Sequence, residues 1–363
     1  MTGKGGTGRY GVLNTGILSA LVAAALFGAS TPLAKLLLDA FPPIAIAGML
    51  YAASGVGLLT WIGVRRIAHR AQTRREAPLT RHDLPWLAGA VVAGGVVAPV
   101  LLMLGLTTTP AASTALLLNL EGVFTALLAW FVFRENFDRR IALGMGLIVL
   151  AGVLLAWEGG SATRGLPLGA LAIVAACLGW AIDNNLTRRV SAADPVQIAG
   201  IKGLVAGAVN LAIATAGGWT PPPATALLAG AAVGLLGYGI SLALFVYALR
   251  NLGTARTGAY FSTAPFIGAG LSLLLFQESP GILFWAAAAF MVAGVWLHLT
   301  ERHEHRHDHE TLAHTHAHVH DEHHQHEHDF AWDGREPHTH FHEHRPLVHS
   351  HPHYPDIHHR HRH

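Results

Sequence analysis

One carboxylate, Glu121, lies near the middle of an apolar stretch that is long enough to cross a lipid bilayer. The stretch runs from Pro110 to Glu135 and reads PAASTALLLNLEGVFTALLAWFVFRE. A carboxylate at the bilayer centre costs about 3 kcal/mol to insert, so it normally faces a cavity or a partner. We interpret Glu121 as a proton or cation site, because intramembrane charges usually mark transport paths. The alternative is a carboxylate that only satisfies a structural partner.

A second polar cluster lies in the apolar run 167–187, which contains Trp180, Asp183 and Asn184. Lys202 occupies the next apolar run at a depth that matches Asp183, so the sequence predicts an ion pair between them. The pair would act as a gate or a reader of substrate charge, or it would fix how two helices dock. The short connection between the runs slightly favours docking. Trp180 lies within about 60° of Asp183 on a helix and would line a cavity or pack in the core.

Hydroxyl groups in a later apolar run lie at the depth of Glu121. Tyr260 and Ser262 belong to the stretch 254–276. Membrane serines usually bond their own backbone, so each of these groups is a weak signal alone. The expected substrate or proton path therefore consists of Glu121, Asp183, Asn184, Lys202, Trp180, Tyr260 and Ser262.

The C-terminal tail has a different chemistry, because residues 301–363 hold 23 of the 26 histidines. Alternating His-x-His places imidazoles on one side of an extended chain. Imidazole with interspersed carboxylate suits Zn, Ni, Co or Cu(II). Few aliphatic residues and several prolines predict a disordered tail until metal binds. The candidate ligands are His303, His305, His307, His309, His314, His316, His318, His320, His323, His324, His326 and His328.

Three functions of this tail remain open on the sequence. It could be a sensor or buffer coupled to metal transport, or a metal buffer unrelated to the cargo. It could also be a polyelectrolyte that responds to pH, since histidine titrates near pH 6.5.

The elements that must position these groups are membrane-spanning helices. The chain is 52% hydrophobic and 13% charged, whereas a soluble domain carries about 25% charged residues. A span needs about 20 apolar residues. We therefore predict an all-α polytopic membrane protein with ten spans, numbered 1 to 10 in chain order. They are 16–38, 42–64, 84–106, 110–133, 140–157, 167–187, 196–217, 224–249, 254–276 and 280–299.

Positive charge predicts the orientation of these spans. The connection 65–83, after span 2, holds six arginines, and the connections after spans 4 and 6 are also basic. The intervening connections carry little more than Lys35 and Arg164. Because Lys and Arg gather on the cytoplasmic side, both termini and the tail are predicted to be cytoplasmic.

Short repeats divide the spans into two sets of five. PIAIAG at 43–48 matches PVQIAG at 195–200, and LAGVLL at 150–155 matches VAGVWL at 292–297. Five is odd, so the second set must enter the membrane from the opposite side. Such inverted repeats are typical of secondary transporters, whose substrate site lies between the halves.

The fragments LLLNLEGVFTALLAW and GTARTGAYFSTAPFIGA are similar to the fourth and ninth spans of the EamA-type drug/metabolite transporter family. The resemblance covers about residues 14–299. It implies an inner-membrane carrier that works by alternating access and often exports small metabolites or toxic compounds. The expected organisation is a cytoplasmic N-terminus (1–15), two five-helix repeats (16–157 and 167–299) and the tail (300–363).

The chain contains no Gly-rich phosphate loop, HExxH motif or nucleophile elbow, so we expect a transporter driven by a gradient rather than an enzyme. Two alternatives remain: a divalent-metal exporter with the tail as collector, and a membrane-anchored metal sensor or buffer without transport. No cofactor is required, although Zn, Ni, Co or Cu could bind the tail. The expected partners are the lipid bilayer, a small-molecule substrate and transition-metal ions, with no nucleic acid and with a homodimer left open.

Overall fold

A computed structural model describes most of the apolar body and four segments of the tail. The described residues are 7–68, 81, 83–133, 139–159, 167–188, 194–252, 254–299, 304–308, 312–318, 338–344 and 348–352. In the first half, α1 is Thr7–Leu37, α2 Pro43–Ala68, α3 Leu84–Ala90, α4 Ala98–Thr108, α5 Ala111–Leu117, α6 Leu120–Phe133 and α7 Arg139–Gly159. In the second half, α8 is Leu168–Arg188, α9 Pro195–Ala216, α10 Ala224–Gly234, α11 Ser241–Leu252, α12 Thr254–Phe261, α13 Ala264–Phe276 and α14 Ile282–Leu299.

The helices confirm the prediction of an all-helical membrane body. Within the described residues, nine helical stretches are long and apolar enough to cross a membrane, judged by length and composition. The tenth predicted span corresponds to a shorter apolar stretch, Ile282–Leu297, in α14. Hydrophobic runs thus predicted every span, because a helix is the only open-ended structure that satisfies its own backbone in lipid.

Two spans in each half are interrupted, and the interruptions match between the halves. Span 3 passes through a π-helical segment at Val91–Val97, and span 8 does so at Leu235–Ile240. Span 4 breaks between α5 and α6, and span 9 breaks between α12 and α13. The second break precedes Pro265, which has no N–H to donate and clashes with the preceding turn.

Contacts between the helices follow an approximate two-fold symmetry that exchanges the halves. Span 2 packs on span 7, and span 5 packs on span 10. Span 3 contacts span 6 as span 8 contacts span 1, and span 4 contacts span 6 as span 9 contacts span 1. Each of these contacts thus maps onto itself or onto another of them, as expected for a body built from two copies of one unit.

Spans 2 and 7 approach closely because glycines line their contact. A Cβ atom added to Gly203 would lie 2.9 Å from the backbone nitrogen of Gly55. Small residues let membrane helices gain dispersion contacts along their backbones, and lipid supplies no hydrophobic force to replace these contacts.

The described part of the tail contains four strands, so the prediction of a disordered tail needs correction in these segments. β1 (Glu304–Asp308) pairs antiparallel with β4 (Val348–Pro352), and β2 (Leu312–His318) pairs antiparallel with β3 (His338–His344). The alternation of histidine with other residues suits an extended backbone, and pairing satisfies its polar groups. Seven predicted ligands lie outside the described residues: His303, His309, His320, His323, His324, His326 and His328.

Candidate functional site

One face of α8, in span 6, carries the polar side chains of the candidate site. Trp180, Asp183, Asn184 and Thr187 recur at intervals of three, four and seven residues, which places them on one side of a helix. This side of α8 meets spans 3, 4 and 7. The spacing was readable from the sequence, but Thr187 was not included in the predicted path.

Asp183 and Lys202 form an ion pair between spans 6 and 7, which confirms the predicted pairing. Asp183 is buried, with 6% of its surface exposed. The Thr187 hydroxyl donates to Asp183 Oδ1 over 2.8 Å and lies 3.2 Å from Lys202 Nζ. A Cβ atom at Gly94, in the π-helical part of span 3, would overlap with the Asp183 carboxylate. The glycine therefore makes room for a buried carboxylate whose charge is balanced by Lys202.

Tyr51 and Trp180 both donate hydrogen bonds to the carbonyl oxygen of Gly94. Each donor lies 2.9 Å from that oxygen, and Trp180 Nε1 also lies 3.1 Å from the Tyr51 hydroxyl. A π-helical segment misaligns the backbone ladder, so its carbonyls can accept such bonds. Trp180 therefore joins spans 2, 3 and 6 by polar contacts. The sequence had suggested only that it lines a cavity or packs in the core. Tyr51 was missed because a lone tyrosine in an apolar span gives no distinctive pattern.

Glu121 lies in the first turn of α6, directly after the break in span 4. The Asn184 side chain donates to Glu121 Oε1 over 2.8 Å and to the Thr125 hydroxyl over 3.3 Å. Among the described side chains, no lysine or arginine forms an ion pair with Glu121. Asn119 instead donates to the Leu116 carbonyl over 3.0 Å. Glu121 is thus half-buried and held by a neutral partner.

A small cavity lies where the two broken spans meet span 1. It is bounded by the break in span 4 and by the residues that follow the break in span 9. Broken helices leave backbone groups that reorganise more readily than a continuous ladder. The lining residues are Phe27, Gly28, Thr31, Ala115, Leu118, Ala264 and Pro265.

Tyr260 and Ser262 are not joined to the Glu121 cluster by any hydrogen bond between described side chains. The Ser262 hydroxyl donates to the carbonyl of Ala259 over 2.8 Å, as expected for a membrane serine. Tyr260 packs against a separate buried group that includes Ala20 and Leu252. The structure therefore brings together Glu121, Trp180, Asp183, Asn184 and Lys202, but leaves these two residues apart.

At one end of the bundle, two charged side chains form hydrogen bonds with backbone groups near the start of span 4. Lys35 Nζ donates to the carbonyl of Thr109 over 2.6 Å. Glu278 accepts bonds from the backbone nitrogens of Ala111 (2.9 Å) and Ala112 (3.2 Å), so it caps the start of α5. Lys35 therefore has a partner within the protein. The helix end that Glu278 caps thus belongs to span 4, although Glu278 itself follows span 9.

The candidate metal ligands fall into two parts of the structure. Within the part of the chain whose side chains are described, no group of three or more His, Cys, Asp or Glu could hold a metal ion. Five predicted ligands lie on described strands, with His305 and His307 on β1 and His314, His316 and His318 on β2.

Comparisons with known proteins place this architecture in a family. The family model of the EamA-like transporter family matches residues 14–157 and 167–300. The chain is 30% identical to an uncharacterized transporter of Methanothermobacter thermautotrophicus over 78% of this chain and 85% of the relative. It is 24% identical to the uncharacterized inner membrane transporter YedA of Escherichia coli over 74% and 86% of the two chains. A solved crystal structure superposes with a TM-score of 0.56 at 18% identity, over 77% of this chain and 95% of the other. The chain is a multi-pass membrane transporter that belongs to the EamA-like transporter family.

Proposed function

We propose that this transporter is a secondary active carrier that exports a small metabolite or toxic compound by alternating access. Protons supply the driving force through Glu121, and the histidine-rich tail binds metal and regulates transport. The carrier lies in an inner membrane with both termini cytoplasmic. The arginine-rich connections support this orientation, and a relative is described as an inner membrane transporter.

The observation that carries the proposal is the difference between the two carboxylates beside α8. Asp183 has a cationic partner in Lys202, so its charge is already balanced. Glu121 has a neutral partner in Asn184. A half-buried carboxylate with a neutral partner can gain and lose a proton without leaving an unpaired cation behind. Glu121 is therefore the group in this cluster that suits proton coupling, whereas Asp183 suits a structural role in its ion pair with Lys202.

The helix breaks support alternating access. The breaks in spans 4 and 9 lie where the two halves meet, and the cavity opens beside both of them. Lys35 and Glu278 join spans 1, 3, 4 and 9 at one end of the bundle. Opening that end would require these contacts to separate, which is the kind of small, two-state change that a carrier needs.

A substrate screen with and without the tail tests the proposal. A deletion strain is complemented with the full chain or with a chain ending at Thr300, and uptake and growth are measured with metals and amino acids side by side. We expect a small organic compound to be transported by both chains. Lost metal tolerance in the shortened chain would instead indicate a metal exporter with the tail as collector. Absence of flux from either chain, with metal binding retained, would indicate a sensor or buffer.

A further inference from the structure

The strand register in the tail places histidine directly opposite histidine. Within β2 and β3 the paired positions are His314 with His342, His316 with His340, and His318 with His338. Within β1 and β4 they are His305 with His351 and His307 with His349. The two ladders share one register, because three residues separate β1 from β2 and three separate β3 from β4, so the pairing resumes without a shift.

Antiparallel geometry puts all of these positions on one face of each ribbon. Residues directly opposite share a face, and so do residues two apart along a strand. The other face of the β2–β3 ribbon carries Ala313, Thr315 and Ala317 opposite Glu343, Phe341 and Thr339. On this face every paired position of the β1–β4 ribbon is histidine, and in the β2–β3 ribbon the one exception is Leu312, which lies opposite His344.

The spacing of these positions suits shared metal ions. Directly opposite residues have Cβ atoms about 4.5–5.5 Å apart, and positions two apart along a strand are separated by about 7 Å. Two neighbouring pairs, such as His314–His342 and His316–His340, thus bring four imidazole-bearing positions within one small patch. Four nitrogen ligands complete a tetrahedral zinc site.

We propose that these five cross-strand histidine pairs are the transition-metal sites of the tail. The inference rests on the proposed metal-binding tail and deepens it, because it assigns ligands on β3 and β4 that the sequence had not singled out. Imidazole donors select Zn, Ni, Co or Cu(II) over Mg and Ca, which prefer oxygen. Because each site takes its ligands from two strands, bound metal stabilises the strand pairing itself. The added ligands are His338, His340, His342, His349 and His351.

A swap of neighbouring residues tests the pairing without changing composition. In β3, the histidines at 338, 340 and 342 are each exchanged with the residue that follows, which moves these three histidines to the opposite face and leaves His344 unchanged. The shared register of the two ladders prevents β3 from slipping back without disturbing β4. The substitutions are His338→Thr, Thr339→His, His340→Phe, Phe341→His, His342→Glu and Glu343→His.

A second swap, in β2, restores the pairs on the other face. When both swaps are combined, histidine again lies opposite histidine at positions 313 and 343, 315 and 341, and 317 and 339. This double variant is the matched control for the single swap. The substitutions are Ala313→His, His314→Ala, Thr315→His, His316→Thr, Ala317→His and His318→Ala.

The full-length protein in detergent micelles is titrated with Zn²⁺ against a chromophoric chelator. We expect the β3 swap to lower the Zn²⁺ affinity of the β2–β3 sites at least about tenfold, because loss of even a hydrogen-bond partner of a metal ligand costs about 10–100-fold. The double variant should regain the wild-type affinity. Equal Zn²⁺ affinity in all three proteins would refute the paired histidine sites. The tail would then bind metal without them. If the full chain binds Zn²⁺ no better than the chain ending at Thr300, the metal-binding tail itself is refuted.

Discussion

Replacing Lys202 with methionine tests whether its ion pair with Asp183 holds spans 6 and 7 together. Methionine keeps an apolar stem of similar length but removes the charge, so a buried carboxylate loses its cation. The two side chains are 15% and 9% exposed, and Thr187 still donates to Asp183 over 2.8 Å. Breaking a buried ion pair by removing one partner costs about 3–5 kcal/mol. We expect a loss near the lower end, about 3 kcal/mol, because the Thr187 hydrogen bond remains.

The matched control removes both charges, with Asp183→Asn and Lys202→Met together. Asparagine still accepts the bond from Thr187, and replacing a whole buried pair is often nearly neutral. The double variant should therefore lie within about 1 kcal/mol of the wild type. The free energy of unfolding is measured in lipid discs by steric trapping. If the single variant is as stable as the double variant, the pair makes no net contribution and the reasoning is refuted.

Two further substitutions test packing and capping in the same assay. Gly55→Ala should destabilise by about 1–3 kcal/mol, because the added methyl would overlap with the backbone of Leu204 in span 7. Gly63→Ala, in the same helix but with open space around it, is the control and should be nearly neutral; equal effects would contradict the close packing. Glu278→Ala should cost about 1 kcal/mol, since it leaves the N–H of Ala111 without its acceptor. Glu278→Gln retains an acceptor oxygen and should cost less, and a result in the opposite order would argue against the cap.

The spans and the ion pair could be predicted from the sequence because both depend on local, one-dimensional signals. Hydrophobic length determines where a helix can cross a membrane. The depths of Asp183 and Lys202 in consecutive spans then bring them to the same level. Neither inference needs the angle at which two helices cross.

The partner of Glu121 could not be predicted in the same way. Its bond to Asn184 depends on how spans 4 and 6 cross and on the break at Leu118, which turns α6 away from a regular helix. A straight-helix projection of span 4 contains no break. Long-range bonds such as that from Lys35 to Thr109 likewise depend on tertiary packing rather than on the local sequence.

The tail shows the same division between local and long-range information. Alternation predicted that histidines share one side of an extended chain. Which strands pair, and in which register, depends on segments that lie far apart in the chain. The pairing of His316 with His340 is therefore visible only in the structure.

The proton-coupling role of Glu121 is the central claim, and it is tested most directly with Glu121→Gln in proteoliposomes. Once a substrate is known, its accumulation under an imposed pH gradient is compared with substrate exchange in the absence of a gradient. Glutamine keeps the size of the side chain but cannot carry a proton. We predict that the variant loses gradient-driven accumulation and the pH dependence of flux, while exchange persists. Accumulation and pH dependence equal to those of the wild type would contradict the proposal that Glu121 couples transport to protons.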